Sequence, residues 1–476
     1  MDSVSKKYPA SAWAKFIILS LVGIFVFFID IPLPGYTIVG ATVAPRSTII
    51  VNHFSSLVTN FLWNGNIKAM SYIVLAFCLY GLLDLYFRRK RHFETTVGKV
   101  FSVVKVIGVI FAVFAVFQIG PGVLHQPRDL LGGSNISAFA LNRVVIPISI
   151  SIPIAMMFLP FLLDFGLMEF IGVFVRPIMR PVYRLPGRSA VILISAFLGN
   201  FSVGHIACDK DYQSGHMTKR EANIISYGFC TVSVAFLLVL FNNANHWPVA
   251  GETHPNPISW NLFFWTSFAI VLIITLINAR IPPLSRIEDE FKPGVTPKPE
   301  NIYKTSLFKN SMEEALEVAQ ASENPLICIA KIMKTTGAIL ASIIMGAGFS
   351  TSAGLLLYFH TPIFEWIGVI FRPLMMLVQI PAHEVNTAAS GAAFSLLEVT
   401  IPSLLITAGA WSIHIRYMLI VIPVTSIIFL GSFVPSLIST SLPVKFWHMM
   451  VIWLERMILS VLLAGIFALV IFGLPV

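Results

Sequence analysis

This chain consists largely of apolar blocks, each about 20 residues long, with short polar clusters between them. A helix of that length spans the hydrocarbon core of a bilayer, and lipid tolerates only helices or closed barrels as spanning structures. A barrel would show alternating apolar and polar residues in segments of about 10. Blocks such as 17–28 do not alternate, so the sequence predicts an all-α polytopic membrane protein.

The basic residues lie at the ends of these blocks. The net charge is +9, yet only 12% of the residues are charged, against about 25% in a soluble domain. The cluster Arg88-Arg89-Lys90-Arg91 directly follows an apolar block, as expected for the cytoplasmic end of a span. We therefore interpret the charge as a sign of membrane orientation and expect no nucleic-acid partner.

The apolar segments are of three kinds. About nine are uninterrupted enough to span a bilayer, and they cover residues 14–33, 69–87, 100–119, 144–165, 222–241, 260–277, 326–359, 417–438 and 451–472. Two segments, 167–185 and 363–380, are amphipathic and should lie on the membrane surface. Two more, 188–208 and 384–408, are apolar but interrupted, as expected of re-entrant helical hairpins.

An internal repeat organises these segments. Residues 167–179 and 363–375 share Glu, Ile, Gly, Val, Arg, Pro and Met at equivalent positions, and the flanking segments recur in the same order. We therefore divide the chain into four regions. These are an N-terminal region of three transmembrane helices (1–142), a first repeat (143–281), a cytoplasmic linker (282–325) and a second, inverted repeat (326–476).

The distribution of Lys and Arg indicates the orientation of the two repeats. We place Lys6 and Lys7 of the N-terminus in the cytoplasm and let the chain re-emerge from each interrupted segment on the side of the membrane where it entered. Nearly every basic cluster then lies on the cytoplasmic side. The repeats then have opposite orientations, as in secondary transporters whose substrate site lies where inverted repeats meet. If 188–208 crossed the membrane once, Lys210, Lys219 and Arg220 would lie outside, which the charge rule disfavours.

The tips of the two hairpins are the predicted functional site. A hairpin tip lies at membrane depth, where free backbone groups need water, ions or a ligand. The first tip holds Asn200 and Ser202, and the repeat offset places Ser202 opposite Glu398. An acidic residue inside an apolar segment marks a functional site by default, so Glu398 is the leading candidate to bind a proton, a cation or a polar solute. The alternative is a structural carboxylate paired with a neighbouring helix.

Polar residues near the tips, and in the interrupted spans that follow them, complete the predicted site. Broken helices offer carbonyl groups and helix ends to ions and solutes, although Ser and Thr also hold helices together. The predicted substrate-binding residues are Asn200, Ser202, Thr231, Ser233, Asn386, Ser390 and Glu398. The predicted ion-coupling residues are Glu398, Thr400, Thr425 and Ser426.

Motifs expected of an enzyme are absent from the sequence. It contains no GxxxxGK[ST], HExxH or GxSxG run, so we expect neither ATP-driven nor hydrolytic chemistry and no cofactor beyond a coupling Na⁺ or H⁺. His205 and Asp209 have no third ligand at a recognisable spacing, so we expect no metal site. We interpret Glu455 and Arg456 as a structural or interfacial pair.

One stretch of the first repeat resembles a known family. The run Thr-Lys-Arg-Glu at 218–221 and the run Gly-Phe-Cys-Thr-Val-Ser at 228–233 resemble the Gate domain, which is associated with nucleoside recognition. Over about 144–476 the chain resembles the YjiH family of bacterial membrane proteins. Gate domains also occur in concentrative nucleoside transporters, in spore-maturation membrane proteins and in ferrous-iron transporters.

The resemblance implies both a fold and a site. In the nucleoside transporters each inverted repeat has the segment order predicted here, and hairpin tips and broken helices bind nucleoside and sodium. At the matching positions of this sequence, the resemblance implies that the binding residues are Asn200, Ser202, Thr231, Ser233, Glu398, Thr425 and Ser426. The first tip of those transporters combines a glutamine, a threonine and a glutamate, whereas this chain has Asn-Phe-Ser at 200–202, which argues against assuming a nucleoside.

We therefore expect a secondary transporter, not an enzyme, in a bacterial cytoplasmic membrane. Its solute would be small and polar (nucleoside-like, an amino acid or peptide-like), and transport would be coupled to Na⁺ or H⁺. We also expect a homo-oligomer. The alternative function is a non-transporting membrane component of an assembly or developmental pathway, as the spore-maturation relatives suggest.

Overall fold

The computed structural model describes residues 8–33, 36–38, 41–43, 46–63, 67–87, 96–128, 134–198, 201–245, 258–297, 306–406, 411–431, 433–438 and 440–474. Most of these residues are helical, which confirms the predicted all-α class. The N-terminal region contains α1 (Ala10–Phe28), α2 (Ile50–Trp63), α3 (Ile67–Phe87) and α4 (Thr96–Phe117). The first repeat contains α5 (Ile136–Leu162), α6 (Leu167–Ile178), α7 (Ser189–Leu198), α8 (Phe201–Gln213), α9 (Lys219–Gly228), α10 (Val234–Asn245) and α11 (Trp260–Asn278).

The linker and the second repeat complete the helices. The linker contains α12 (Leu307–Ala321). The second repeat contains α13 (Pro325–His360), α14 (Ile363–Val369), α15 (Arg372–Leu377), α16 (Val385–Phe394), α17 (Thr400–Leu405), α18 (Ile413–Ser426), α19 (Phe433–Ile438) and α20 (Phe446–Phe472).

The loop between α1 and α2 forms two small antiparallel ladders that the sequence analysis did not predict. Strand β1 (Asp30–Leu33) pairs with β4 (Arg46–Ile49), and β2 (Tyr36–Ile38) pairs with β3 (Ala41–Val43). Strands of three or four residues are too short for an alternating pattern to stand out in a sequence. Helix α2 was not predicted either, so the described part of this region contains short helical structure besides its three expected spans.

Six of the described helices are long and apolar enough to cross a membrane, namely α1, α3, α5, α11, α13 and α20. The described apolar part of α4, Ser102–Phe117, is somewhat shorter. The two remaining predicted spans, 222–241 and 417–438, are each divided into two short helices, α9 with α10 and α18 with α19. The chain is therefore a multi-pass helical membrane protein.

The order of helices in the first repeat recurs in the second. Each repeat begins with a long helix (α5, α13) and continues with a short amphipathic segment (α6, then α14 with α15). A helical hairpin follows (α7–α8, α16–α17), then a broken helix (α9–α10, α18–α19) and a final long helix (α11, α20).

The two hairpins open toward opposite ends of α20. At the base of the first hairpin, Asp209 accepts a 2.6 Å hydrogen bond from Ser441, shortly before α20 begins. Beside the base of the second hairpin, His414 contacts the carbonyl oxygen of Gly473 at 2.7 Å, just after α20 ends. Because α20 has 27 residues, these ends are about 40 Å apart. This geometry supports the inverted-repeat architecture predicted from the basic clusters.

The linker is more ordered than the predicted polar connection, because α12 packs against α6 and α1. Arg176 of α6 and Glu314 of α12 form two parallel hydrogen bonds, both of 2.7 Å. The ammonium of Lys15 in α1 donates to the carbonyl oxygen of Ser322, which follows α12. The linker thus ties the N-terminal helix to the amphipathic helix of the first repeat.

Candidate functional site

The tip of the second hairpin lies at residues 395–399, between α16 and α17, and it holds Glu398. Only 4% of this residue is exposed. Its Oε2 atom accepts a hydrogen bond from the hydroxyl of Ser350 in α13 at 2.5 Å, and its Oε1 atom accepts one from Thr400 at 3.3 Å. Among the described residues no cation forms an ion pair with this carboxylate. The backbone N–H groups of Val399 and Thr400 also bond to it. A buried carboxylate held by uncharged groups alone can take up a proton or a cation to offset its desolvation.

The break between α18 and α19 packs directly against this tip. The N–H groups of Leu430 and Gly431 donate to the carbonyl oxygens of Leu396 and Leu397, at 2.7 and 3.0 Å. A Cβ atom on Gly431 would stand 2.8 Å from Oε2 of Glu398. Only glycine therefore lets the backbone of the break come this close to the carboxylate.

The first hairpin folds back on itself, and its tip reaches the same break. A Cβ atom on Gly204 in α8 would lie 2.7 Å from the Cβ atom of Ala196 in α7, whereas a continuous helix would separate the two by about 12 Å. The ring of Phe201, at the tip, lies 5.7 Å from the ring of Phe429 in the break. Both hairpin tips thus meet at residues 427–431.

Each broken helix is interrupted by a tight three-residue turn. In the first break the N–H of Thr231 donates to the carbonyl oxygen of Phe229 at 2.9 Å, and in the second the N–H of Ile428 donates to that of Ser426 at 2.7 Å. The central residue of the second turn, Ile427, has a φ of 61°. Such a backbone is strained for a β-branched residue, and strain of this kind concentrates at functional sites.

The predicted residues of the first repeat occupy different places. Asn200 and the side chain of Ser202 lie outside the described residues. Thr231 donates to the carbonyl oxygen of Val424 at 3.4 Å, so it joins the first break to the end of α18. Ser233 accepts a hydrogen bond from the N–H of Phe236 at 3.3 Å and caps α10.

The predicted residues of the second repeat are only partly brought together. Thr400 binds Glu398, as described above. The hydroxyls of Thr425 and Ser426 donate to carbonyl oxygens of their own helix, including those of Val421 at 3.0 Å and Pro423 at 3.3 Å. Ser390 is buried midway along α16, and Asn386 is exposed in its first turn, at the end away from the tip.

The arginine near the start of α20 is part of this centre rather than one half of an ion pair with its neighbour. Arg456 is fully buried, and its Nε and Nη2 atoms donate to the carbonyl oxygen of Thr425 at 3.2 and 2.9 Å. Glu455 points elsewhere and accepts a 2.8 Å hydrogen bond from Asn278. The predicted pairing of Glu455 with Arg456 is therefore wrong, because consecutive residues of a helix do not face each other.

The Thr-Lys-Arg-Glu run docks on the linker instead of lining the tips. Thr218 and Glu221 form the predicted capping box at the start of α9, with both reciprocal hydrogen bonds present. The hydroxyl of Thr218 also donates to Asp289 at 2.5 Å, and Lys219 donates to Glu288 at 2.7 Å. This run therefore fixes the entry to the broken helix against residues 288–290.

Several residues of the centre were not among the sequence candidates: Ser350, Gly431, Arg456, Phe201 and Phe429. Two of them carried a signal that could have been used. Ser350 begins a Ser-Thr-Ser run inside an apolar helix, and Arg456 is a charge inside an apolar block. Phe201 lies in the predicted first tip but has no polar group to mark it, and Phe429 carried no signal, since aromatic residues are common throughout this chain.

Comparison with known proteins identifies part of the first repeat. Residues 143–247 match the family model of the Gate domain, described as nucleoside recognition. The chain is 26% identical over 463 residues to an uncharacterized protein of Alkalihalophilus pseudofirmus, and the match covers 94% of this chain and 92% of the relative.

Among solved structures the chain is similar to CNTnw. The inward-facing substrate-bound state of CNTnw is 15% identical, with 98% of each chain covered and a TM-score of 0.40. A doubly substituted CNTnw in an outward-facing state is also 15% identical, with 98% of this chain and 97% of the other covered and a TM-score of 0.38. The chain is a multi-pass helical membrane protein, and residues 143–247 of its first repeat match the Gate family model.

Proposed function

We propose that this protein is a secondary active transporter of a small polar solute, and that the solute binds between the two hairpin tips. The observation that carries the proposal is Glu398, a buried carboxylate without a described cationic partner, placed where both tips meet the second break. A carboxylate in such a place is costly unless it serves a solute, a proton or an ion. Two inverted hairpins around one central site are the arrangement used for alternating access.

Polar contacts along α8 of the first hairpin are suited to gate the site. Asp209 accepts a hydrogen bond from the hydroxyl of Ser441 at 2.6 Å, and His205 contacts the hydroxyl of Ser436 at 3.1 Å. These contacts join α8 to α19 and to the residues that follow it. Opening the site toward this end of α20 would break them, and a few hydrogen bonds of about 1–3 kcal/mol each can be broken reversibly.

The finer features of the function form part of the same proposal. The protein would lie in a bacterial cytoplasmic membrane with its N-terminus inside, assemble as a homo-oligomer and couple transport to Na⁺ or H⁺. The solute would be nucleoside-like, an amino acid or peptide-like. The Gate match supports a nucleoside-like solute. The Asn-Phe-Ser tip at 200–202 is a reason to test amino acids and peptides as well.

Uptake into proteoliposomes tests the proposal. Purified protein is reconstituted, and radiolabelled nucleosides, amino acids and dipeptides are offered under a sodium gradient, a proton gradient or neither. We expect gradient-dependent accumulation of one solute class. If none of these solutes accumulates under either gradient, transport is the wrong function.

The variant Glu398→Gln separates transport from a purely structural role in an assembly pathway. It should abolish uptake while the protein stays folded, because glutamine keeps the shape but cannot exchange a proton. Glu384→Gln is the matched control, since Glu384 is equally buried but lies at the hairpin base, where it binds the N–H and the hydroxyl of Ser412 at 2.7 and 2.6 Å. Glu384→Gln should lower the unfolding temperature, whereas uptake per folded molecule should stay close to that of the wild type.

A further inference from the structure

The guanidinium group of Arg456 lies close to the carbonyl ends of both broken helices. Arg456 donates twice to the carbonyl oxygen of Thr425, in the last turn of α18. Its Nη1 atom lies 3.5 Å from the hydroxyl of Thr275, and this hydroxyl lies 2.9 Å from the carbonyl oxygen of Gly228, the last residue of α9. The guanidinium therefore contacts the end of α18 directly and is linked to the end of α9 through the hydroxyl of Thr275.

The carbonyl end of a helix attracts cations. Its last carbonyl groups lack partners within the helix, and together they resemble about half a negative charge. In transporters with broken helices such ends coordinate a mobile Na⁺ or H⁺-carrying group. In this protein the carbonyl oxygen of Thr425 is already used by Arg456, and the hydroxyl of Thr425 bonds within its own helix.

Close packing brings α9 within reach of this arginine. A Cβ atom on Gly228 would stand 2.3 Å from Cγ2 of Thr275, so only glycine allows α9 to approach α11 this closely. Helix α11, the counterpart of α20 in the first repeat, contains no Lys or Arg. Arg456 of the second repeat is therefore the cation that lies near the end of α9 in the first repeat, through its contact with Thr275 of α11.

The charge of Arg456 is balanced by backbone and hydroxyl groups. It is fully buried, and no carboxylate of the described residues forms an ion pair with it. Removing a guanidinium group from water is costly, so its placement requires groups with negative partial charge around it. The helix ends supply these groups, and the guanidinium in turn neutralises the helix ends.

We propose that Arg456 is a tethered cation that occupies the carbonyl end of α18 directly and the end of α9 through Thr275, and thereby excludes a metal cation from both. If the protein is the transporter proposed above, coupling then falls to proton uptake by Glu398, because the carbonyl oxygen that a metal cation would use is already bound. A metal cation can reach these carbonyl groups only after the guanidinium is removed.

Thermal unfolding of the purified full-length protein in NaCl and in choline chloride of equal ionic strength tests this proposal. The wild type should unfold at the same temperature in both salts. Arg456→Gln should unfold several degrees lower in choline chloride and recover part of that loss as NaCl rises, with saturation. A saturable stabilisation of the wild type by Na⁺, or an Arg456→Gln variant with equal stability in both salts, would overturn the proposal.

Arg280→Gln is the matched control. Arg280 also donates to two backbone carbonyl oxygens, those of Leu276 and Val182 at 2.7 and 2.6 Å, but it is exposed and water can replace it. Its removal should create no preference for Na⁺ over choline.

Arg456→Lys decides the question if Arg456→Gln does not fold. A lysine variant that folds, with the same unfolding temperature in both salts, supports the tethered cation because it keeps the charge. A lysine variant that also fails to fold overturns it. Neither measurement needs a transported solute, so its result is independent of the uptake assay.

Discussion

The hydroxyl of Ser350 donates a hydrogen bond to the carboxylate of Glu398, which lies 48 residues further along the chain. This contact joins the long helix α13 to the tip of the second hairpin. It also places a group from outside the hairpin against the acidic residue that the sequence analysis selected. Movement of the tip relative to α13 would therefore break a contact to Glu398 itself.

Gly431→Ala should disable the site. The added Cβ atom would stand 2.8 Å from Oε2 of Glu398 and 2.9 Å from the carbonyl oxygen of Leu397, so one of them must move. Overpacking of this kind costs about 1–3 kcal/mol. If the carboxylate is the group that moves, we expect uptake to fall by about tenfold or more, as measured in proteoliposomes.

Gly346→Ala is the control for this substitution. Gly346 lies in α13, and a Cβ atom there would meet nothing within 4 Å. Alanine in a helix interior should leave uptake unchanged and stabilise the fold by about 0.5–1 kcal/mol. If the two alanine variants had equal uptake, the close approach of Gly431 to Glu398 would be irrelevant to function.

Ser350 and Glu398 should be energetically coupled. A hydrogen bond to a charged group contributes about 1.5–3 kcal/mol, so Ser350→Ala should destabilise the wild type more than it destabilises the Glu398→Gln background. A double-mutant cycle on the free energy of unfolding measures the difference. A coupling energy near zero would mean that the two side chains do not interact in the folded protein.

The ion pair between Lys219 and Glu288 should make a small, pH-dependent contribution to stability. The hydrogen bond to Lys219 lowers the pKa of Glu288 from 4.5, so its contribution is present above pH 4.5 and is lost as the pH falls through the folded value. The hydrogen bond to Glu288 raises the pKa of Lys219 from 10.5, so that contribution is present below pH 10.5 and is lost as the pH rises further. The linker contact is therefore strongest between these limits.

Unfolding temperatures of the wild type and of Glu288→Gln, compared across pH and salt, check this contact. The difference between them should be small, because Glu288 is exposed, and it should shrink at high ionic strength. A difference that persisted unchanged below the folded pKa of Glu288 would have a cause other than the ion pair.

Breaking the pair between Arg176 and Glu314 should destabilise the junction of α6 with α12. The two hydrogen bonds are parallel, and the side chains are only 18% and 25% exposed, so Glu314→Gln should cost about 1.5–3 kcal/mol. Chemical unfolding measures this loss.

The neighbouring Glu313→Gln is the control, because its pair with Lys309 is exposed and one helical turn apart, and it should cost only about 0.2–0.5 kcal/mol. Equal costs would contradict the burial argument.

Much of the architecture could be predicted from local pattern. The length of the apolar blocks predicts the spans, and the repeated residues at 167–179 and 363–375 predict the amphipathic helices. The capping residues Thr218 and Glu221 predict where α9 begins. These features depend on residues that are close together in sequence, so a single sequence suffices to find them. The strands β1–β4 and helix α12 were not predicted, because their stability depends on packing against α2, α6 and α1.

The candidate site was predicted in part. Glu398 and Thr400 were selected because polar residues in an apolar segment are conspicuous, and the structure brings these two together. Asn386 is a candidate on the same grounds, yet it lies exposed in the first turn of α16, at the end away from the tip. Composition identifies a polar residue, whereas its position along a hairpin decides whether it reaches the site.

Local pattern is enough to predict that the chain crosses a membrane as helices, that its architecture is duplicated and that Glu398 is unusual. These conclusions rest on the cost of exposing polar groups to lipid, which acts on every residue of a span. The three-dimensional packing, in contrast, is needed to see that Ser350 and Gly431 surround Glu398 and that Arg456, with Thr275, links the ends of α18 and α9. Those contacts link residues up to 181 positions apart, and they arise because burial forces each polar group to find a partner wherever packing brings one.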